Sequence, residues 1–300
     1  MKLIVRADDV GYTDICNVGA FETIYNGVTT AADLMLDTPG AVDAMKRLKE
    51  LPWISVGWHS HFWGSPLLDP SEVPSLYDES TGHFRRDINR AEDVDYDECI
   101  KEMRAQMERC IKYLGRVPDT GGMAFGNSPF SKAIMDICEE YGILSSFAWS
   151  KPFPFFEKNA EFRAPKNCAD RKIYMMPSAV PGGHAENTLR SDSLQETLQY
   201  DPLEDLLSGA IFEGIPEDAT AVFVLHPGYV DHYVLCEGDH GPGAIHYLLV
   251  RPADQYALCS DRIKQFIIDK KLELCSFTDA AYGTRKYQNH LRLIGSPLAV

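Results

Sequence analysis

The sequence predicts an α/β fold in which parallel strands alternate with helices, on three observations. Short β-prone apolar runs recur between segments whose apolar residues fall at helical spacing. The connections between those runs are long enough to hold the crossover helices that parallel strands require. Polar residues with catalytic chemistry stand directly after three of the runs, and parallel α/β folds bind ligands beyond the carboxyl ends of their strands.

Lys2 to Ala7 is the first strand, followed by a turn-like DDVGYTD and a helix near residues 15 to 26. Thr29 to Leu36 is the second strand. Pro39 to Leu51 is the second helix, with Pro39 suited to its first turn. Ile54 to Trp58 is the third strand. Residues 62 to 92 are rich in Gly, Pro, Ser and Asp and read as a long excursion over the sheet rim. The strongest helix follows: Tyr96, Ile100, Met103, Met107, Cys110, Ile111 and Leu114 build one apolar stripe. A strand–helix pair spans roughly 117 to 141, and Ile143 to Phe147 is a fifth strand. The stretch KPFPFFEKN is a second irregular excursion. Ile173 to Met176 and Ala221 to Leu225 are strands with a helix near 201 to 213 between them. Residues 237 to 246 read as loop. A helix near 254 to 269, a strand near 271 to 275 and a helix near 278 to 288 complete the chain.

The 300 residues are 45% hydrophobic and 24% charged, which is globular composition. That length suits two ordinary domains or one α/β barrel of about 250 residues or more. There is no internal repeat, low-complexity tract or interdomain linker, so one domain over 1–300 with seven or eight β/α units is the simplest account. The formal net charge is -15. Such a surface repels phosphate backbones, which argues for no nucleic-acid partner and favours neutral or amino-bearing small molecules. The apolar run at the N-terminus is too short for a signal-peptide core, and no segment approaches about 18 uninterrupted apolar residues, so no membrane span is expected. Eight scattered cysteines without a CxxC pair predict reduced, mostly buried thiols and a cytoplasmic location.

Asp8 and Asp9 follow strand one, His59 follows strand three, and His226 follows the strand AVFVLH. Each has an ordinary alternative. An Asp pair can cap a helix, a lone His can simply pack, and His-Pro-Gly-Tyr can be a turn. Three such coincidences at one end of one sheet favour function. A carboxylate with an imidazole makes a mixed oxygen and nitrogen ligand set for zinc or another divalent metal. A second carboxylate can serve as general base, and a separate imidazole can protonate a leaving group. Neighbouring residues of an extended strand point to opposite faces, so the two aspartates are expected to divide these roles.

These motifs resemble the YdjC-like carbohydrate deacetylases, the group that includes chitooligosaccharide deacetylase. The resemblance covers nearly the whole chain: ADDVG at 7–11, NGVTTAADLML at 26–36, VGWHSHFWGSPLLDPSEVPSL at 56–76, Gly82-His83-Phe84, and HPGYVD at 226–231. The tail, with Arg251 before LCSDRIKQFI and LELCSF, is also similar. The resemblance implies a distorted, TIM-like (β/α) barrel that removes N-acetyl groups from amino sugars with one divalent metal ion, zinc or magnesium. It implies Asp9 and His59 as metal ligands, Asp8 as base, and His226 as acid or active-site contact. A small carbohydrate is the implied substrate, and a homodimer is compatible with the family.

One departure stands out. Where the family carries a third histidine ligand, this sequence reads PDTGGMAFGN, with Gly121 and Gly122 at the histidine positions. A catalytic zinc site usually needs three protein ligands. His61, two residues after His59, would project from the same face if the strand continues, and is the candidate replacement. The alternative is a substrate contact. His184, His240 and His246 are further loop candidates. Trp58, Phe62, Trp63 and Phe84 are either a platform for sugar faces or ordinary rim packing. The leading function is therefore a sugar deacetylase. A carbohydrate-binding or regulatory relative with reduced or no turnover is the rival, and cleavage of another amide or an ester is the third option.

Overall fold

The computed structural model describes residues 1–60, 62–121, 128–145, 172–175, 198–209, 212, 215–236 and 244–300. Strand β1 (Lys2–Val10) lies at the centre, followed by helix α1 (Asp14–Tyr25), β2 (Ala31–Leu34), α2 (Ala41–Lys49) and β3 (Ser55–Trp58). The excursion over 62–92 contains a short hairpin, β4 (Tyr77–Asp78) with β5 (His83–Phe84). Helix α3 (Tyr96–Leu114), β6 (Thr120–Gly121), α4 (Pro129–Tyr141), β7 (Leu144–Ser145), β8 (Ile173–Met175), β9 (Thr220–Leu225) and β10 (Glu273–Leu274) follow.

Seven of these strands form a parallel sheet in the order β7-β6-β3-β2-β1-β9-β8, and β10 joins it as an eighth, off that path. β10 pairs with the start of β1, at Lys2 and Leu3, while β2 takes the same edge further along, from Arg6 to Val10. The expected α/β architecture is present. Among the described residues no hydrogen-bonded pairing joins β7 to β8.

Alternation along the strands separates two apolar clusters. Leu3, Val5, Ala7, Ala32, Leu34, Val56, Ala221 and Phe223 face the helices and form the main core. Ile4, Ala31, Val222, Val224, Cys275 and Phe277 pack together on the inner face. Above that inner layer the same face of β1 turns polar, with Arg6 and then Asp8. The apolar layer thus forms the floor of a polar chamber at the carboxyl ends of the strands.

Several boundaries differ from expectation. β1 does not end at Ala7 but runs through the Asp pair to Val10, with a register irregularity between Ala7 and Val10. A helix spans Ala244–Cys259, beginning inside the stretch expected to be loop and containing Pro252. It ends where the Ser260 hydroxyl accepts from the Arg262 N–H and caps the next helix, Asp261–Asp269. The last predicted helix is two, Phe277–Tyr282 and Lys286–Leu293, interrupted around Gly283. Among the described cysteines, Cys16, Cys99, Cys110, Cys138 and Cys275 are buried free thiols and Cys259 is a partly buried one. Among the described residues no helix is long and apolar enough to cross a membrane.

The excursion is fixed to the barrel by a buried acid. Glu102 on α3 is fully buried and accepts hydrogen bonds from the Leu67 and Leu68 N–H groups and from the Gln106 amide. Burial pushes its carboxyl above the ordinary range, and those donors oppose the rise. Glu102→Ala removes an acceptor from two backbone donors at once. It is expected to lower unfolding free energy by about 2–4 kcal/mol in urea titrations, given roughly 1–3 kcal/mol per unsatisfied buried group. Glu102→Gln, which keeps one acceptor, should lose less. Equal stability of all three proteins would show that the excursion does not depend on this anchor.

Candidate active site at the carboxyl ends of the strands

The site begins with a backbone irregularity. Asp9 has φ +58, a conformation that Asp tolerates better than most residues, at the point where the β1–β2 register shifts. Strict alternation would send Asp8 and Asp9 to opposite faces. The bulge turns Asp9 instead so that both carboxylates approach one imidazole. His59 Nε2 lies 3.1 Å from Asp9 Oδ1 and 3.9 Å from Asp8 Oδ2. The expected separation of the two aspartates onto opposite faces is therefore corrected: one extra strand residue brings them together.

Each aspartate is also held by an arginine. The Arg6 guanidinium grips Asp8 through two hydrogen bonds, 2.6 and 2.8 Å, two residues along the same face of β1. Arg251, on the helix Ala244–Cys259, donates from Nη2 to Asp9 Oδ2 at 2.6 Å. A third acid, Asp33 on β2, has Oδ2 at 3.7 Å from Arg6 Nη2. Arg6, Asp8, Asp9, Asp33, His59 and Arg251 are all buried. One ligand atom from each of Asp8, Asp33 and His59 lies within 4.8 Å of the others.

These contacts set the charge states. Burial alone would push the Asp9 carboxyl up, but Arg251 and His59 hold it well below the ordinary range, with His226 pulling the same way. Burial would depress the His59 imidazole, yet its contact with Asp9 and the charges of Asp33 and Asp8 raise it to about 9. Burial raises Asp33, opposed by Arg6. The surrounding carboxylates thus favour the protonated imidazole at His59.

His226 follows β9 at the same end. Its N–H donates to Asp254 Oδ2 at 2.8 Å, and the Tyr200 hydroxyl donates to Asp254 Oδ1 at 2.6 Å. The rest of HPGYVD ties this loop to α1: Tyr229 donates to Glu22, and the Thr13 hydroxyl donates to Asp231.

Of the four aromatic candidates, three are packing residues. Trp58 is buried with its indole N–H on Gln106, and Phe62 and Phe84 are buried against each other, with Phe62 also against Phe130. Trp63 alone is half-buried beside the site, 5.7 Å from the His59 ring and 5.9 Å from Tyr12. His61, Gly122, His184, His240 and the side chain of His246 lie outside the described residues. Gly121 lies inside them and leaves no room for a side chain: a Cβ there would stand 2.7 Å from Trp58 Cβ and 3.0 Å from the Trp58 backbone. A histidine introduced at 121 would therefore force Trp58 or the backbone to shift.

Sequence reasoning missed Arg6, Asp33 and Asp254. A charged residue inside an apolar strand, as in LIVRADD and AADLML, is the signal that marks the first two, because strand charges are seldom buried without partners.

A profile of the family described as YdjC-like protein matches residues 2–269. A carbohydrate deacetylase of Brevibacillus brevis is 26% identical over 282 residues, covering 93% of this chain and 99% of its own length. A chitooligosaccharide deacetylase of Proteus mirabilis is 23% identical over 279 residues, with 92% and 98% coverage. Among solved structures, a protein of Enterococcus faecalis V583 named for cellobiose-phosphate cleavage superposes with a TM-score of 0.64 at 22% identity, over 93% of this chain and 98% of its own. At that identity the likeness shows a shared fold.

Burial raises the Asp254 carboxyl to about 6, against the pull of Tyr200 and His226. A carboxyl raised on folding keeps its proton where the unfolded chain has lost it, so its contribution is present below about pH 4 and disappears as pH rises through 6. The stability advantage of wild type over Asp254→Asn should therefore shrink between pH 4 and 6 and stay constant above. Urea titrations across that range read it directly, and a difference that does not change with pH would refute it.

Proposed function

This chain belongs to the YdjC-like protein family, and we propose that it is a carbohydrate deacetylase that removes an N-acetyl group from a small amino sugar or oligosaccharide with one divalent metal ion. The observation that carries the proposal is the Asp9–His59 contact. Their 3.1 Å separation matches two ligand atoms that share an ion at bonds of about 2.0–2.2 Å, and both side chains are buried at the strand ends. Relatives named carbohydrate deacetylase align over nearly the whole chain and support the reaction type. Zinc or magnesium, the ions in view, would supply Lewis-acid polarisation of the amide carbonyl and acidify the attacking water.

In this proposal Asp9 and His59 hold the ion, and Arg251 fixes the Asp9 carboxylate through its second oxygen. Asp8 accepts the proton of the attacking water. Its oxygens keep free lone pairs beyond the two that Arg6 engages. Water oxygen bonds to the carbonyl carbon, the C–N bond breaks, acetate leaves, and His226 delivers a proton to the amine nitrogen. Trp63 presents an aromatic face beside His59 against which a sugar ring can stack. A formal charge of -15 disfavours polyanionic substrates and tolerates an amine product. A cytoplasmic location belongs to the same proposal and is supported by the free thiols.

Gly121 and Gly122, which stand where the family's third histidine is expected, favour the rival, a sugar-binding relative without turnover. Acetate release separates the two readings. Purified protein is expected to release acetate from N-acetylated mono- or disaccharides and to stop when a chelator is added. Asp9→Ala and His59→Ala should lose the metal, and full occupancy of either variant by elemental analysis would refute the ligand assignment. Asp8→Asn should keep the metal while turnover falls by roughly 10²-fold or more, the scale of a lost general base. A near-normal rate would remove Asp8 from the chemistry, and loss of metal would make it a ligand.

A further inference from the structure

Gly57 stands in register between Asp33 on β2 and Thr120 on β6. A Cβ on Gly57 would meet Asp33 Oδ1 at 1.8 Å and Thr120 Oγ1 at 3.2 Å. The missing side chain therefore makes the room in which the Asp33 carboxylate lies. Its Oδ1 is buried with no hydrogen-bond partner among the described residues, and its Oδ2 lies 3.7 Å from Arg6 Nη2. An oxygen of that kind is costly to keep, more so on a charged group.

The charges around it do not balance. Asp8 and Asp9 each have a guanidinium nitrogen at 2.6 Å, while Asp33 has only Arg6 at 3.7 Å, on its other oxygen. With His59 neutral, the form in which an imidazole ligates a metal, two guanidiniums face three buried carboxylates, and Asp33 is the least closely paired of the three. A ligand atom of Asp33 is within 4.8 Å of His59 and Asp8. Two ligands of one tetrahedral zinc ion at bonds of about 2.0–2.2 Å stand roughly 3.4 Å apart, so a closing of the group by about 1.4 Å or less lets Asp33 and His59 share an ion. Position 121 cannot contribute, since any side chain there collides with Trp58.

We propose that Asp33 is the third protein ligand of the divalent ion, so that a carboxylate on β2 replaces an imidazole after β6. The assignment rests on the metal-dependent reading above and adds to it. His59 is the common member of the two contacts, 3.1 Å from Asp9 and within 4.8 Å of Asp33 and Asp8. In the proposed set Asp9, Asp33 and His59 hold the ion, and Asp8, gripped by Arg6, is the proton acceptor. Two carboxylates and one imidazole form a harder, more oxygen-rich set than one carboxylate and two imidazoles, which shifts preference toward magnesium and manganese relative to zinc.

The test uses the full chain, stripped with EDTA and reloaded with Zn²⁺ or Mn²⁺, with ion affinity read by calorimetry and content by elemental analysis. Asp33→Asn, nearly isosteric, should weaken Zn²⁺ affinity by more than about 100-fold, beyond the 10- to 100-fold typical of residues that only support a ligand. X-ray absorption at the zinc edge of the wild-type protein gives an answer even if the variant fails to fold: one imidazole in the coordination shell is expected. Two imidazoles, with the ion lost in His61→Ala and kept in Asp33→Asn, would overturn the assignment and leave the metal-dependent reading standing. A wild-type protein that takes up none of Zn²⁺, Mn²⁺ or Mg²⁺ would overturn both.

Discussion

At the carboxyl end of β1 three carboxylates are held out of water by two guanidiniums, and the surrounding structure is arranged around that balance. Burying an ion costs several kcal/mol even after relaxation, and removing one partner of a buried pair typically costs about 3–5 kcal/mol. Arg6 lies on the same strand as the carboxylate it grips and needs no long-range contact to find it. Arg251 reaches Asp9 from 242 residues away, so the last third of the chain must dock before that charge is matched. The Asp9–Arg251 pair thereby couples assembly of the barrel to formation of the site.

The bulge at Asp9 is the second half of the same arrangement. A regular strand would place Asp9 with Ala7 among the helix-facing core residues, an untenable position for a carboxylate. One residue at positive φ costs on the order of 1–3 kcal/mol and moves that carboxylate to His59 and Arg251. The strain lies at the point of greatest chemical use, between the two aspartates. Arg251 and Asp254 share one helix, and they fix Asp9 and the His226 loop respectively, so that helix aligns residues from opposite ends of the chain. The inclusion of Pro252 between them costs one backbone hydrogen bond and leaves both anchors in place.

The site differs from its family resemblance in a consistent direction. Where an imidazole ligand is expected after β6, Gly121 lies so near Trp58 that an added Cβ would stand 2.7 Å from the Trp58 Cβ, and Trp58 is itself held by Gln106. On the neighbouring strands an acid, an arginine and a glycine stand together at Asp33, Arg6 and Gly57. These three positions depend on one another sterically and electrostatically. Gly57 makes room for Asp33, and Arg6 supplies the positive charge that Asp8 and Asp33 share.

Much of this protein was legible in its residues taken in order. Apolar periodicity separated strand from helix along most of the chain, because burial of one face imposes a period that survives without knowledge of the partner. The placement of Asp8, Asp9, His59 and His226 at one end of the sheet followed from parallel topology, which puts every strand's carboxyl end on the same side. Tertiary structure decided what the period could not carry. The turn of Asp9 onto the face of Asp8 depends on a register shift against β2, a property of two strands. The closure of position 121 depends on Trp58, and the packing roles of Trp58, Phe62 and Phe84 depend on α3 and α4. The meeting of Arg6 with Asp33, and of Arg251 with Asp9, joins charges far apart in the chain. Sequence order says which residues can ionise, and only the fold says which of them must share a low-dielectric space.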